Sequence, residues 1–202
     1  KDYAILMKSG ALPISLRSVL VTQVAPTLGT ETVKLSLIAG AIGILLVFIF
    51  MIIFYRRMGI VANLALAVYT LLVLGSIALF RGVLTLPGIA GLILGVGMAV
   101  DANVIIFERI KDEIRSGKGM RSALNSGFDR AYVTILDSNI TTLLVAAVLY
   151  FFGTGAVKGF AVTLAVSILA SMFTALFVSK TILEIWVGKA PERFFAKYEV
   201  RG

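Results

Sequence analysis

The chain has 202 residues, 59% of them hydrophobic and only 15% charged, with a mean hydropathy of +0.99; its apolar residues gather in runs long enough to cross a bilayer, which excludes an ordinary water-soluble domain. The net charge of +8 is distributed between those runs instead of forming one patch, so it reads as a topology signal and not as a nucleic-acid surface. Cys and His are both absent, which excludes disulfides, thiol chemistry and the commonest metal ligand, and leaves any titration near neutral pH to carboxylates.

The chain opens on Lys1-Asp2-Tyr3 with no signal-peptide pattern and reads as part of a longer protein. Residues 14–24, rich in β-branched side chains and partly alternating, predict a strand that ends at Pro26. A lone strand is not stable, so its partners are expected upstream, in an external domain. Five apolar runs follow, at about 35–55, 60–80, 84–107, 132–152 and 159–180, each near the ~20 residues of a spanning helix. The fold class is therefore an all-α polytopic membrane protein: 1–33 the end of an external domain and a junction, 34–182 the membrane domain, 183–202 a tail.

An odd number of spans places the two ends on opposite sides. Arg56, Arg57, the cluster from Arg109 to Arg130 and the tail with Lys189, Arg193, Lys197 and Arg201 share one side, and the other is poorer in positive charge. The positive-inside rule then predicts an external N-terminus and a cytoplasmic C-terminus. Between the third and fourth spans, residues 108–130 predict two short helices broken at Ser116-Gly-Lys-Gly119. Met120, Leu124 and Phe128 give the second an apolar stripe, which suits either the membrane surface or packing on the helix ends.

The third span contains Asp101, about six residues or ~9 Å from its cytoplasmic end. A charged Asp in a spanning helix costs about 2.5–3.5 kcal/mol on insertion scales and marks an ion pathway unless it is tied to a neighbouring helix. Gly91, Gly95 and Ala99 recur every four residues and form a smooth ridge for close helix contact, with Gly97 softening it and Pro87 placed in the first turn. Such packing is expected to bring Asp101 into the bundle. In the fourth span Thr134, Asp137, Ser138, Asn139, Thr141 and Thr142 make a polar stripe, readable as a water-lined groove opposite Asp101 or as an interhelical hydrogen-bond seam. Thr163, Ser167, Ser171 and Thr174 in the fifth span read as a packing seam, and Asn63 as an interface residue.

Apart from Lys180 at the last position of the fifth, no basic residue falls inside a span. Desolvation favours the neutral form of a carboxyl, so such a group can take a proton in a wet conformation and carry it through a dry one. The Gly-Lys pairs at 117–118 and 188–189 lack the rest of a phosphate loop, and no nucleophile and base occur together. The chain reads as neither an enzyme nor a cofactor or metal binder.

The stretch Gly95-Val-Gly-Met-Ala-Val-Asp-Ala-Asn-Val-Ile-Ile-Phe-Glu-Arg109, with Leu86-Pro-Gly before it, closely resembles the fourth-transmembrane-helix signature of the SecD family of bacterial protein-export subunits. Ile135-Leu-Asp-Ser-Asn-Ile-Thr-Thr-Leu-Leu144, Gly153-Thr-Gly-Ala-Val-Lys-Gly-Phe-Ala-Val-Thr163 and the junction Val24-Ala-Pro-Thr-Leu-Gly29 are similar too, so the resemblance covers essentially the whole chain. The related SecF motif has Asn-Asp where this chain has Val100-Asp-Ala-Asn103. The resemblance implies the last five of six helices in a half-bundle of the RND superfamily, with a short strand left from a periplasmic domain. It implies a bacterial inner-membrane protein that works with SecF, the SecYEG channel and SecA on preproteins, driven by the proton-motive force or, in some relatives, by sodium. It puts Asp101 at the proton-conducting position, with Asp137, Asn139, Asn103 and Thr141 in the matching polar motifs, and leaves the family's membrane arginine to the SecF half. A proton-coupled exporter of small molecules or lipids is the alternative within the superfamily.

Overall fold

The computed structural model describes residues 26–79 and 85–189; the strand expected at 14–24 lies outside them. The chain divides into two units, Lys1–Thr32 and Val33–Gly202, and the described residues of the second form an all-helical membrane domain. Its helices are α1 (Pro26–Tyr55, of which the part from Val33 belongs to this unit), α2 (Arg57–Leu79), α3 (Leu86–Arg115), α4 (Met120–Phe152) and α5 (Gly155–Phe173). A π-helical turn, Thr174–Val178, joins α5 to α6 (Ser179–Lys189) without a break. Five helices in the described residues are long and apolar enough to cross a membrane, the last running from Gly155 to Gly188. The helices are apolar on all sides, as expected where lipid and not water is the solvent: Leu35, Leu46, Ile53, Leu71 and Phe152 are all exposed.

Each joint has a local cause. Arg56 turns α1 into α2 with a φ of 50°, the left-handed region uncommon outside Gly. Gly59 follows because a Cβ there would run into the Met51 carbonyl. Thr85 caps α3 by accepting the Gly88 amide at 3.2 Å, with Pro87 in the first turn where its missing N–H costs nothing. Ser116 ends α3, and Gly117 at φ 85° reverses the chain into α4.

The predicted break at residues 116–119 is present, but the two short helices around it are not. The charged segment after 107 continues α3 to Arg115, and α4 runs unbroken from Met120 into the membrane. The stripe of Met120, Leu124 and Phe128 packs into the same core as Ile110 and Ile114 of α3 instead of lying on the lipid surface. The reason is Gly127: a Cβ there would lie 2.6 Å from Ile110 Cγ1 and 2.9 Å from the Ile110 backbone, so the bare glycine lets the two helix ends touch.

α3 is the hub, packed against α4 and α5 along its length and against α2. Apolar burial gives little drive between helices already in lipid, so contact relies on close packing of small residues. Gly91 lies under Thr163 and Phe160, and Gly95 under Tyr69 and Ser167, whose Cβ would be 2.5 Å from an added methyl. Thr163, Ser167, Ser171 and Thr174 are all buried, so the fifth-span stripe is a packing seam. α1 is held mainly near its C-terminal end. There the Tyr55 ring sits 5.6 Å from that of Phe107, Lys111 Nζ lies 4.2 Å from the Tyr55 ring centre, and Asn63 donates to the Phe48 carbonyl at 3.2 Å. Asn63 is thus the interface residue its position suggested.

These contacts separate the glycines. Gly95→Ala and Gly127→Ala should each destabilise the detergent-solubilised protein by about 1–3 kcal/mol through overpacking. Gly97→Ala, whose Cβ would meet nothing within 4 Å, should be neutral or stabilising by up to about 1 kcal/mol of helix propensity. Thermal unfolding of the three variants side by side checks this.

Candidate functional site

Positions 91, 95, 99 and 103 fall four apart on one face of α3, and the seam with α5 takes all of them inside: Ala99 and Asn103 are each 2% exposed. Asp101 is about 200° round the helix from Ala99 at 3.6 residues per turn. It is exposed. The expectation that ridge packing draws Asp101 into the bundle therefore fails for this chain by itself, because the contact that buries Asn103 turns Asp101 outward.

Asp101 instead lines a small pocket between α3 and α4, of about 120 Å³, with Met98, Ala102 and Ile105 on its own helix and Ile135, Ser138, Asn139 and Thr142 opposite. It is the one titratable side chain lining this pocket among the described residues. The chemistry of the far wall follows from hydrogen bonds within α4. Ser138 Oγ donates to the Ile135 carbonyl at 3.2 Å, Thr142 Oγ1 to the Ser138 carbonyl at 3.0 Å, and Asn139 Nδ2 to the Ile135 carbonyl at 2.8 Å. With these protons engaged on the backbone, the groups have oxygen lone pairs left to offer. A carboxyl facing acceptor oxygens in a niche of this size suits a proton carried on the carboxyl, a hydrated proton or a small cation.

Of the other candidate residues, Asn139 and Asp101 meet at this pocket, and Asp137 and Thr141 do not. Both of the latter are exposed on α4, where Thr141 Oγ1 donates to the Asp137 carbonyl at 2.9 Å. Asn103 is on the other side of α3. Its Nδ2 donates to the Ala99 carbonyl at 2.9 Å, and its Oδ1 accepts from Ser179 Oγ at 2.5 Å. Gly91, Gly95 and Ala99 pack, whereas Gly97 is exposed.

Ser179 was not singled out from the sequence, although it continues the four-residue spacing of Thr163, Ser167 and Ser171 by two further steps; the apolar run ends at 180 and draws attention away from it. Below the site, the basic cluster is in large part paired. The Glu113 carboxylate, 3% exposed, bridges Lys118 at 2.7 Å and Arg130 at 2.9 Å and so ties the turn and α4 to α3, while Lys111 meets Glu108 at 2.7 Å. Sequence spacing gives no sign of the Glu113 pairs, since one of them spans the turn from helix to helix.

The chain matches the model of the family described as protein export membrane protein SecD/SecF, C-terminal, over residues 9–189. This chain belongs to the SecD/SecF family. Within it the similarity is to SecD: the protein translocase subunit SecD of Acidaminococcus fermentans is 54% identical over 96% of this chain, and that of Synechocystis sp. is 48% identical over 95%. The crystal structure of SecDF, a translocon-associated membrane protein from Thermus thermophilus, superposes with a TM-score of 0.84 at 42% identity over 94% of this chain. The chain spans 48% and 40% of the two SecD relatives and 26% of the SecDF chain. It is a multi-pass membrane protein with the helical fold of that family.

Because the chain has no cysteine, single cysteines report these positions directly. In detergent, Asp101→Cys should react readily with a maleimide, while Asn103→Cys should react markedly more slowly. Equal rates would contradict the rotation of α3 described above.

Proposed function

We propose that this chain is the membrane part of a SecD subunit that uses an ion gradient to assist the export of preproteins, with Asp101 as the group that takes up and releases the ion. The observation that carries this reading is the placement of Asp101: a carboxyl at membrane depth, exposed on its own bundle, in a niche walled by acceptor oxygens. A carboxylate presented to lipid is costly, so this face requires a protein partner. Asp137, Ser138 and Thr141 are exposed on the α4 side of the same region and add to that requirement. The partner that fits is the SecF half, whose membrane arginine would supply a counter-charge that the lining of the Asp101 pocket lacks. By the same resemblance the assembly serves the SecYEG channel and SecA. The distribution of Arg and Lys orients it in a bacterial inner membrane with the N-terminal side external and the C-terminal side cytoplasmic. Asn139 and the hydroxyls of Ser138 and Thr142 would accept hydrogen bonds from the protonated carboxyl or from a bridging water, and the ion is taken here to be the proton.

In vesicles holding the translocase and the full-length subunit with its partner, Asp101→Asn should abolish the part of preprotein export that depends on an imposed pH gradient, while ATP-driven export without a gradient is unchanged. Full stimulation by this near-isosteric variant would overturn the role of Asp101. Stimulation by a sodium gradient alone would reassign the ion.

A further inference from the structure

The turn Thr174–Val178 is a π-helix in the middle of a membrane span. Its sequence, Thr-Ala-Leu-Phe-Val, contains neither Gly nor Pro, so nothing in the covalent chain imposes the wider register. Such turns are rare and gather at functional sites. The amide of Ser179 still bonds five residues back, to the Thr174 carbonyl. Its side chain makes the hydrogen bond to Asn103 across the helix seam. Elsewhere in α5 and α6, Thr163, Ser171, Thr174 and Thr181 all donate to carbonyls three or four residues back in their own helix. Ser179 departs from that habit by reaching to α3, and it is fully buried where it does so.

We propose that the Asn103–Ser179 hydrogen bond is a switch contact that holds the π turn in place and links the position of α3, and hence the state of Asp101, to the position of α6. The inference rests on the reading of Asp101 as the ion-carrying group. Asn103 is two residues from Asp101 on the opposite face of one continuous helix, so a shift of α3 that follows a change at Asp101 is felt at Asn103 without any intermediate part. When the contact opens, the Ser179 hydroxyl has a ready acceptor in its own helix, the carbonyl three or four residues back, as its neighbours already show. Asn103 keeps its bond to the Ala99 carbonyl in either state. The Asn103 Oδ1 loses its donor when the contact opens, so the closed arrangement is the better satisfied and the open one is reached only when a change at Asp101 shifts α3. Loss of the extra residue in the π turn would rotate and shift α6, and α6 carries Leu183 and Val187 in the core. Val187 and Glu184 line a cleft with Arg121, Leu124 and Asn125 at the start of α4, so the movement would open or close that cleft on the cytoplasmic side. Ser179 and Asn103 are positioning residues in this scheme.

The absence of cysteine in the chain allows spin labels at Asn125→Cys and Glu184→Cys, which report the width of this cleft in the full-length protein in vesicles. Asp101→Asn should shift the distribution of label distances when Ser179 is present and should leave it unchanged in the Ser179→Ala background. Ser179→Ala should also cut gradient-driven export several-fold while the protein still inserts and pairs with its partner. A shift that persists in Ser179→Ala, or no shift with Ser179 present, overturns the switch. So does full gradient-driven export by Ser179→Ala. If the distances fail to respond while Asp101→Asn still abolishes gradient-driven export, the switch alone falls; if Asp101→Asn exports normally, the reading of Asp101 falls first.

Discussion

The close approach of α3 to α5 along Gly91, Gly95, Ala99 and Asn103 is the constraint on which the rest of the bundle depends. Helices already dissolved in lipid gain little by hiding apolar surface from one another, so they associate where small side chains let backbones come near and where hydroxyls have partners. This seam provides both. Two glycines meet Thr163 and Ser167, and a long-range bond between side chains of α3 and α6, Asn103 to Ser179, closes the end of the seam beyond Ala99. The hydroxyls along α5 are largely satisfied by their own backbone, which permits them to line a dry interface without loss of stability.

The same seam fixes the rotation of α3 and thereby the surroundings of the candidate site. One helical face cannot hold both Asn103 and Asp101, because two residues on a helix point to nearly opposite sides. Burying the amide in the seam presents the carboxyl to the α4 side, where a niche of acceptor oxygens lies at the edge of an open face. The arrangement sets an uncharged, hydrogen-bonded polar group where the chain packs on itself and leaves the ionisable one where another chain can meet it. The ion pairs of Glu113 with Lys118 and Arg130 serve a different end, holding the α3–α4 turn at the membrane border.

The spans, the break at 116–119 and the seam between the small residues of the third and fifth spans were legible in the sequence, because each depends on local composition or on a four-residue repeat. The lengths of α3 and α4 were not. Hydropathy ends where charged residues begin, at about 107, but a helix continues as long as its backbone bonds do, and here they continue to the Gly117 reversal. The polar motif of the fourth span was recognised as a stripe, yet its members part company in space. Ser138, Asn139 and Thr142 face the Asp101 pocket, while Asp137 and Thr141 do not. The π turn left no mark in an ordinary apolar pentapeptide, and Ser179 stood too near the end of its run to be separated from a helix terminus.

By itself the sequence determined the solvent of this protein, the number and approximate place of its spans, the one carboxylate in the apolar run of the third, and the family to which its motifs belong. These follow from transfer free energies and from short repeats, which need no knowledge of neighbours. Tertiary structure decided which way each helix turns, and with it that Asp101 faces outward, that Asn103 belongs to the seam and that the last span is wound with a π turn. Rotation about a helix axis costs an isolated apolar helix almost nothing in lipid, so it is set by where a backbone from elsewhere in the chain can come close.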